Sequence, residues 1–143
     1  MRVLVADDSP VLRAAVAGLL QGEGYEVEQA GDGAEAIVCL LTRPPDVVLL
    51  DLRMPRVTGW VVCRLMKEDP ALCRIPVLVL TELDGAKDRF WAEQSGADAY
   101  LTKDGIEGVL LERLHALLAG RTLSDLSVEV GAAGGDGLPD VLA

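Results

Sequence analysis

The chain has 143 residues, enough for one domain with a substantial core. Half are hydrophobic, yet only one Phe, two Trp and two Tyr are aromatic, so the core must be aliphatic, as in sheets covered by helices. A formal charge of −10 argues against a basic surface for nucleic acid, and no apolar run approaches the roughly 18 residues of a membrane span. The opening MRVLVADDSP also lacks the apolar segment of a signal peptide, so the expectations are no direct nucleic acid binding, no membrane insertion and a cytoplasmic location.

In chain order, residues 2–6 form the first short apolar run. Ser9 followed by Pro10 reads as a helix cap and first helical position, and Gly22 and Gly24 end that helix. A second strand is predicted over residues 26–30. Asp32-Gly33 then turns the chain into a helix whose Ala34, Ile37, Val38 and Leu41 recur at i, i+3, i+4 and i+7, the spacing of one buried face. Strands are predicted over residues 47–51, 76–81 and 99–102. A helix containing Val61 to Met66 separates the first two, and a more polar helix over residues 85–95 separates the others. Leu110, Leu114 and Leu117 mark a fifth helix. Strands alternating with helices give a (βα)5 pattern, an α/β fold in which a parallel five-stranded sheet is doubly wound by helices. Residues 1–119 form the domain. The Gly- and Ala-rich residues 120–143 read as a tail or linker.

Open parallel sheets place their functional crevice beyond the carboxyl ends of the strands. Here those ends carry Asp7 and Asp8, Asp51, Thr81 and, just past the fifth strand, Lys103. Three close carboxylates raise one another's pKa unless a cation joins them, and oxygen donors without His or Cys suit Mg2+ rather than zinc. Asp7 and Asp8 alone are commonly no more than charges at a helix start. The signal is the ordered set on four strand ends.

With VLVADDSP, VVLLDLRMP followed by Gly59, VLVLTE and ADAYLTK in place, residues 1 to about 119 resemble the receiver domain of two-component response regulators. The resemblance implies a flavodoxin-like strand order 2-1-3-4-5 and a phosphoacceptor rather than an enzyme. Asp51 would receive a phosphoryl group from a phosphohistidine on a histidine kinase or histidine phosphotransfer protein. Asp8, Asp51 and the backbone carbonyl of Arg53 would bind Mg2+ directly, with Asp7 acting through a coordinated water. Lys103 and Thr81 would hold the phosphoryl oxygens, and Tyr100 would be the aromatic whose rotation follows Thr81. The change would be read on the surface of the fourth helix, fifth strand and fifth helix by a downstream output domain or target protein.

Two positions depart from the family's usual pattern: Glu82 replaces a small residue after Thr81, and Asp104 replaces a Pro after Lys103. They keep alive a degenerate receiver that acts as a phosphorylation-independent scaffold. A Mg2+-dependent phosphohydrolase is disfavoured, because Arg53 stands two positions after Asp51 where many such enzymes place an acidic or acid/base group. Cys39, Cys63 and Cys73 lack metal-site spacing and are expected to be small buried or half-buried thiols. His115 is expected to be an ordinary helical His. Trp60, Phe90 and Trp91 could form a partner-facing patch, Trp91 especially, with core packing the equal or better expectation for Phe90.

Overall fold

The computed structural model describes residues 1–82 and 86–120. Five strands, β1 (Arg2–Ala6), β2 (Glu26–Ala30), β3 (Val47–Asp51), β4 (Val77–Thr81) and β5 (Ala99–Thr102), alternate with α1 (Pro10–Gly22), α2 (Gly33–Thr42), α3 (Gly59–Glu68), α4 (Ala86–Gln94) and α5 (Leu110–Leu118). The strands pair in parallel in the order β2-β1-β3-β4-β5. The (βα)5 expectation and its strand order therefore hold, and the tail prediction for residues 121–143 lies outside the described residues.

The inner strands β1, β3 and β4 are almost wholly apolar because both faces of the sheet are covered there, whereas the edge strand β2 carries Glu26, Glu28 and Gln29. Leu4, Val48, Leu50 and Val79 pack with Leu40, Val62 and Met66 of α2 and α3 on one face. Val3, Val5, Leu49 and Leu78 meet Val16 and Leu20 of α1 and Leu110, Leu114 and Leu117 of α5 on the other. Alternate residues of each strand thus serve opposite layers, the period-2 geometry of a strand. Ser9 caps α1 by accepting from the Leu12 amide at 3.2 Å, with Pro10 opening the helix.

Two expectations need correction. The buried face of α2 is Gly33, Ala36 and Leu40 with half-buried Ile37, whereas Val38 and Leu41 are 62% and 64% exposed. Asp32 fixes where the helix begins, accepting from the Glu35 amide at 2.8 Å, and Gly33 lies so close to the Val57 carbonyl that a Cβ would overlap it. Those contacts set the rotation of α2. The fourth strand starts at Val77 rather than residue 76, since Pro76 has no N–H to donate, though its carbonyl accepts from Val48 at 3.0 Å.

The order places β1 and β3 side by side at the point where chain direction through the sheet reverses. Ala6 pairs with Leu50 and Asp51 with Leu80, so the residues following β1 lie next to the end of β3. The loops that leave these two strands face each other across a crevice.

Candidate functional site

The crevice is built from strand ends. Asp7 is fully buried, Asp51 nearly so, and Asp8 is exposed. Oxygens of these three carboxylates lie within 4.8 Å of one another. Lys103 reaches in from beyond β5, its Nζ 2.8 Å from Asp7 Oδ2, 3.1 Å from Asp51 Oδ2 and 3.7 Å from Glu82 Oε1. One ammonium therefore faces two buried carboxylates and a third at the rim.

Local turns aim these groups. Asp7 Oδ1 accepts from the Ser9 amide at 2.8 Å and Asp51 Oδ1 from the Arg53 amide at 3.0 Å, so each carboxylate organises the loop that follows it. The Lys103 amide donates to the Thr81 carbonyl at 2.7 Å, and the Lys103 carbonyl accepts from Ile106 at 3.2 Å, with Gly105 between them at φ 71°. No cis peptide bond occurs among the described residues, so the turn carrying Lys103 and Asp104 is held by these hydrogen bonds. The buried Thr81 hydroxyl donates to the Leu101 carbonyl of the neighbouring β5 at 3.4 Å. Tyr100 is buried in the layer shared with α3 and α4.

Burial pushes the Asp51 carboxyl up to about 6, although the Arg53 amide and the Lys103 charge oppose the rise; Asp7 adds to it. For Lys103, burial lowers the pKa, but hydrogen bonds to Asp7 and Asp51 and their charges outweigh it and hold the ammonium above its ordinary value. The pocket is thus short of positive charge. A small hard cation fits that deficit and that all-oxygen donor set.

All the predicted strand-end residues, Asp7, Asp8, Asp51, Thr81 and Lys103, come to one edge, and Arg53 lies in the loop directly after Asp51. Glu82 reaches the pocket through Lys103. Sequence reasoning missed Arg13, whose Nη1 donates to the Asp7 carbonyl at 2.7 Å, and the ion pair of Asp32 with Arg56. Arg13 gave no signal beyond its place one turn after Ser9. The three cysteines are free, Cys63 buried and Cys39 and Cys73 half-buried. His115 is exposed on α5, 6.3 Å from the Tyr25 ring. Phe90 is not in the core: it is 49% exposed and meets Trp91 edge-on at 5.3 Å, and Trp91 meets Trp60 at 6.0 Å.

Residues 3–115 match the family described as the response regulator receiver domain. The chain is 35% identical over 119 residues to Protein PilH of Pseudomonas aeruginosa, covering 83% of this chain and 98% of that protein. It is 42% identical over 119 residues to a gliding motility regulatory protein of Myxococcus xanthus, covering 82% of this chain but only 15% of the relative. A DNA-binding dual master transcriptional regulator, RpaA of Synechocystis, is 39% identical over 82% of this chain and 48% of its own length. The chain thus spans under half of these two longer relatives. Among solved structures, the receiver domain of a histidine kinase from Syntrophus aciditrophicus superposes with a TM-score of 0.78 at 34% identity, covering 83% of this chain and 90% of that one. The chemotaxis response regulator CheY4 of Vibrio cholerae does so with 0.75 at 32% identity, covering 80% and 95%. The flavodoxin-like architecture is shared with both.

Proposed function

The chain belongs to the response regulator receiver domain family of two-component signalling, and from that premise we propose that Asp51 accepts a phosphoryl group from the phosphohistidine of a histidine kinase or histidine phosphotransfer protein. The receiver unit is residues 1–119. The observation that carries this reading is the Asp51 carboxylate at the end of β3, buried and held by Lys103 beside Asp7 and Asp8.

In the proposed step an Asp51 carboxylate oxygen attacks phosphorus, the bond from phosphorus to the donor imidazole breaks, and the electron pair leaves on that nitrogen. Asp8, Asp51 and the Arg53 carbonyl are the residues assigned to hold Mg2+, with Asp7 acting through water; when bound, the ion supplies positive charge to the phosphoryl oxygens. Lys103, already poised on Asp51, pairs with the transferred group. Phosphorylation adds about two negative charges and three acceptor oxygens. That charge draws the Thr81 hydroxyl from the Leu101 carbonyl toward the pocket, and Tyr100, on the strand beside Thr81, repacks with it. The altered face of α4, β5 and α5 then meets an output domain or target protein in the cytoplasm, with no part for nucleic acid or membrane in this unit. Among the described residues no helix is long and apolar enough to cross a membrane.

A second reading, a scaffold that works without phosphorylation, is favoured by one feature: Glu82 already occupies part of the Lys103 charge. Intact mass after incubation with Mg2+ and acetyl phosphate separates the two. The phosphoacceptor reading expects one added phosphoryl group that requires Mg2+ and is lost in Asp51→Asn. An unchanged mass together with no Mg2+ binding supports the scaffold instead.

A further inference from the structure

The loop between β3 and α3 departs from relaxed geometry at one residue. Arg56 has φ 67°, the only positive value at a non-glycine among the described residues, and the Val57 amide donates to the Pro55 carbonyl across it at 2.8 Å. A three-residue turn closed around a left-handed centre is the strained form of the γ-turn. Glycine is the residue that adopts it freely, so an arginine there needs a reason.

The reason lies in what its side chain grips. Arg56 is largely exposed, but its guanidinium pairs with Asp32, whose side chain is only 7% exposed. The Asp32 carboxylate uses both oxygens: Oδ1 caps α2 through the Glu35 amide, and Oδ2 takes Arg56. Next to it, Gly33 lies against the Val57 carbonyl with no room for a Cβ. On the other side of the same turn, Gly31 abuts the Arg13 guanidinium that holds the Asp7 carbonyl. Residues 31–33 therefore touch the β3–α3 loop directly, through Arg56 and Val57, and reach the loop carrying Asp7 and Asp8 through Arg13 of α1, while contributing no reacting group.

We propose that Asp32 and Arg56 are positioning residues: their ion pair clamps the β3–α3 loop against the start of α2 and so sets where the Arg53 backbone stands relative to the three carboxylates. As it concerns metal binding, the inference rests on the phosphoacceptor reading of the site. The bland alternative is a surface ion pair on an ordinary helix cap, whose removal changes little.

Arg56→Gly separates the two, since glycine accepts the turn while the guanidinium is lost. The clamp predicts a Mg2+ dissociation constant weaker by about tenfold, the low end of what residues that orient metal ligands contribute. Melting temperature without Mg2+ should stay level or rise, because the backbone strain is relieved. Asp32→Asn, which keeps a capping oxygen but not the charge, should weaken Mg2+ in the same sense, and Arg56→Lys should recover most of the affinity. Amide hydrogen exchange without metal gives an independent readout: the Arg53 amide should exchange faster in Arg56→Gly and Asp32→Asn than in wild type. Wild-type affinity and wild-type exchange in Arg56→Gly would overturn the clamp. Wild type that takes no phosphoryl group would overturn the phosphoacceptor reading alone, and exchange at Arg53 would still decide for or against the clamp.

Discussion

Burial holds the Asp51 carboxyl at about 6, against an ordinary 3.8, and the Arg53 amide and the Lys103 ammonium, which also faces Asp7, do not offset it. Between those two pH values the folded chain keeps a proton that the unfolded chain has released, so native stability falls as pH rises through this window and the full cost stands above about 6. At about 1.4 kcal/mol per pH unit, that cost is on the order of 2–3 kcal/mol. Asp51→Asn, neutral at every pH, should therefore melt higher than wild type at pH 7 in Mg2+-free buffer, with the difference vanishing near pH 4. Thermal unfolding from pH 4 to 8 reads it, and equal melting curves at pH 7 would mean the pocket already balances its charge. Glu82 acts from the rim, 3.7 Å from Lys103 and largely exposed. An incoming phosphoryl group must compete with it for the ammonium, so Glu82→Gln should gain mass from acetyl phosphate about two- to fivefold faster, the range expected of an exposed ion pair. Equal rates would make Glu82 a bystander.

Glycines show how elements meet at the site. Gly59 opens α3 with its amide donating to the Leu52 carbonyl at 3.0 Å, and a Cβ there would overlap the Asp51 carbonyl. Gly59→Ala should cost about 1–3 kcal/mol and weaken Mg2+ binding, because the helix must retreat from the strand end that carries Asp51. Gly18, exposed within α1 with nothing near a Cβ, should show the opposite sign, Gly18→Ala raising stability by about 0.5–1 kcal/mol. Melting both variants beside wild type tests the pair. Contacts of this kind also mark where sequence ran out. Strand ends are legible because an apolar run stops at a charged or hydroxyl-bearing residue, which by pattern alone assigns Asp7, Asp51, Thr81 and Lys103 to one edge. The rotation of α2 is not, since Ala36, Ile37, Val38, Leu40 and Leu41 make the helix apolar nearly all round and only the approach of Gly33 to Val57 chooses the buried stripe. Phe90 misled for a related reason: hydrophobicity alone does not reveal that Trp91 and Trp60 offer it an edge contact at the surface. The Asp32–Arg56 pair joins residues 24 apart through the packing of two loops, and local pattern carries no trace of it.

Across the whole molecule, the two aliphatic layers bury both faces of the sheet and leave its carboxyl edge as the place where charge collects. A chain of net charge −10 gains stability from any added cation by screening, so a Mg2+ effect alone proves little. A bound ion behaves differently: stabilisation follows occupancy and reaches about 2.7 kcal/mol at one hundred times its dissociation constant. Asp8 distinguishes these cases, since it is exposed and its charge can be removed without disturbing the core, yet its carboxylate belongs to the three-acid cluster. Wild type should melt higher in millimolar Mg2+ than in NaCl of equal ionic strength, and Asp8→Asn should lose that excess while keeping the NaCl response. If the two salts stabilise wild type equally, the acidic edge is a screened surface, and the shortage of positive charge around Asp51 must be met by some other cation or by the partner that docks there.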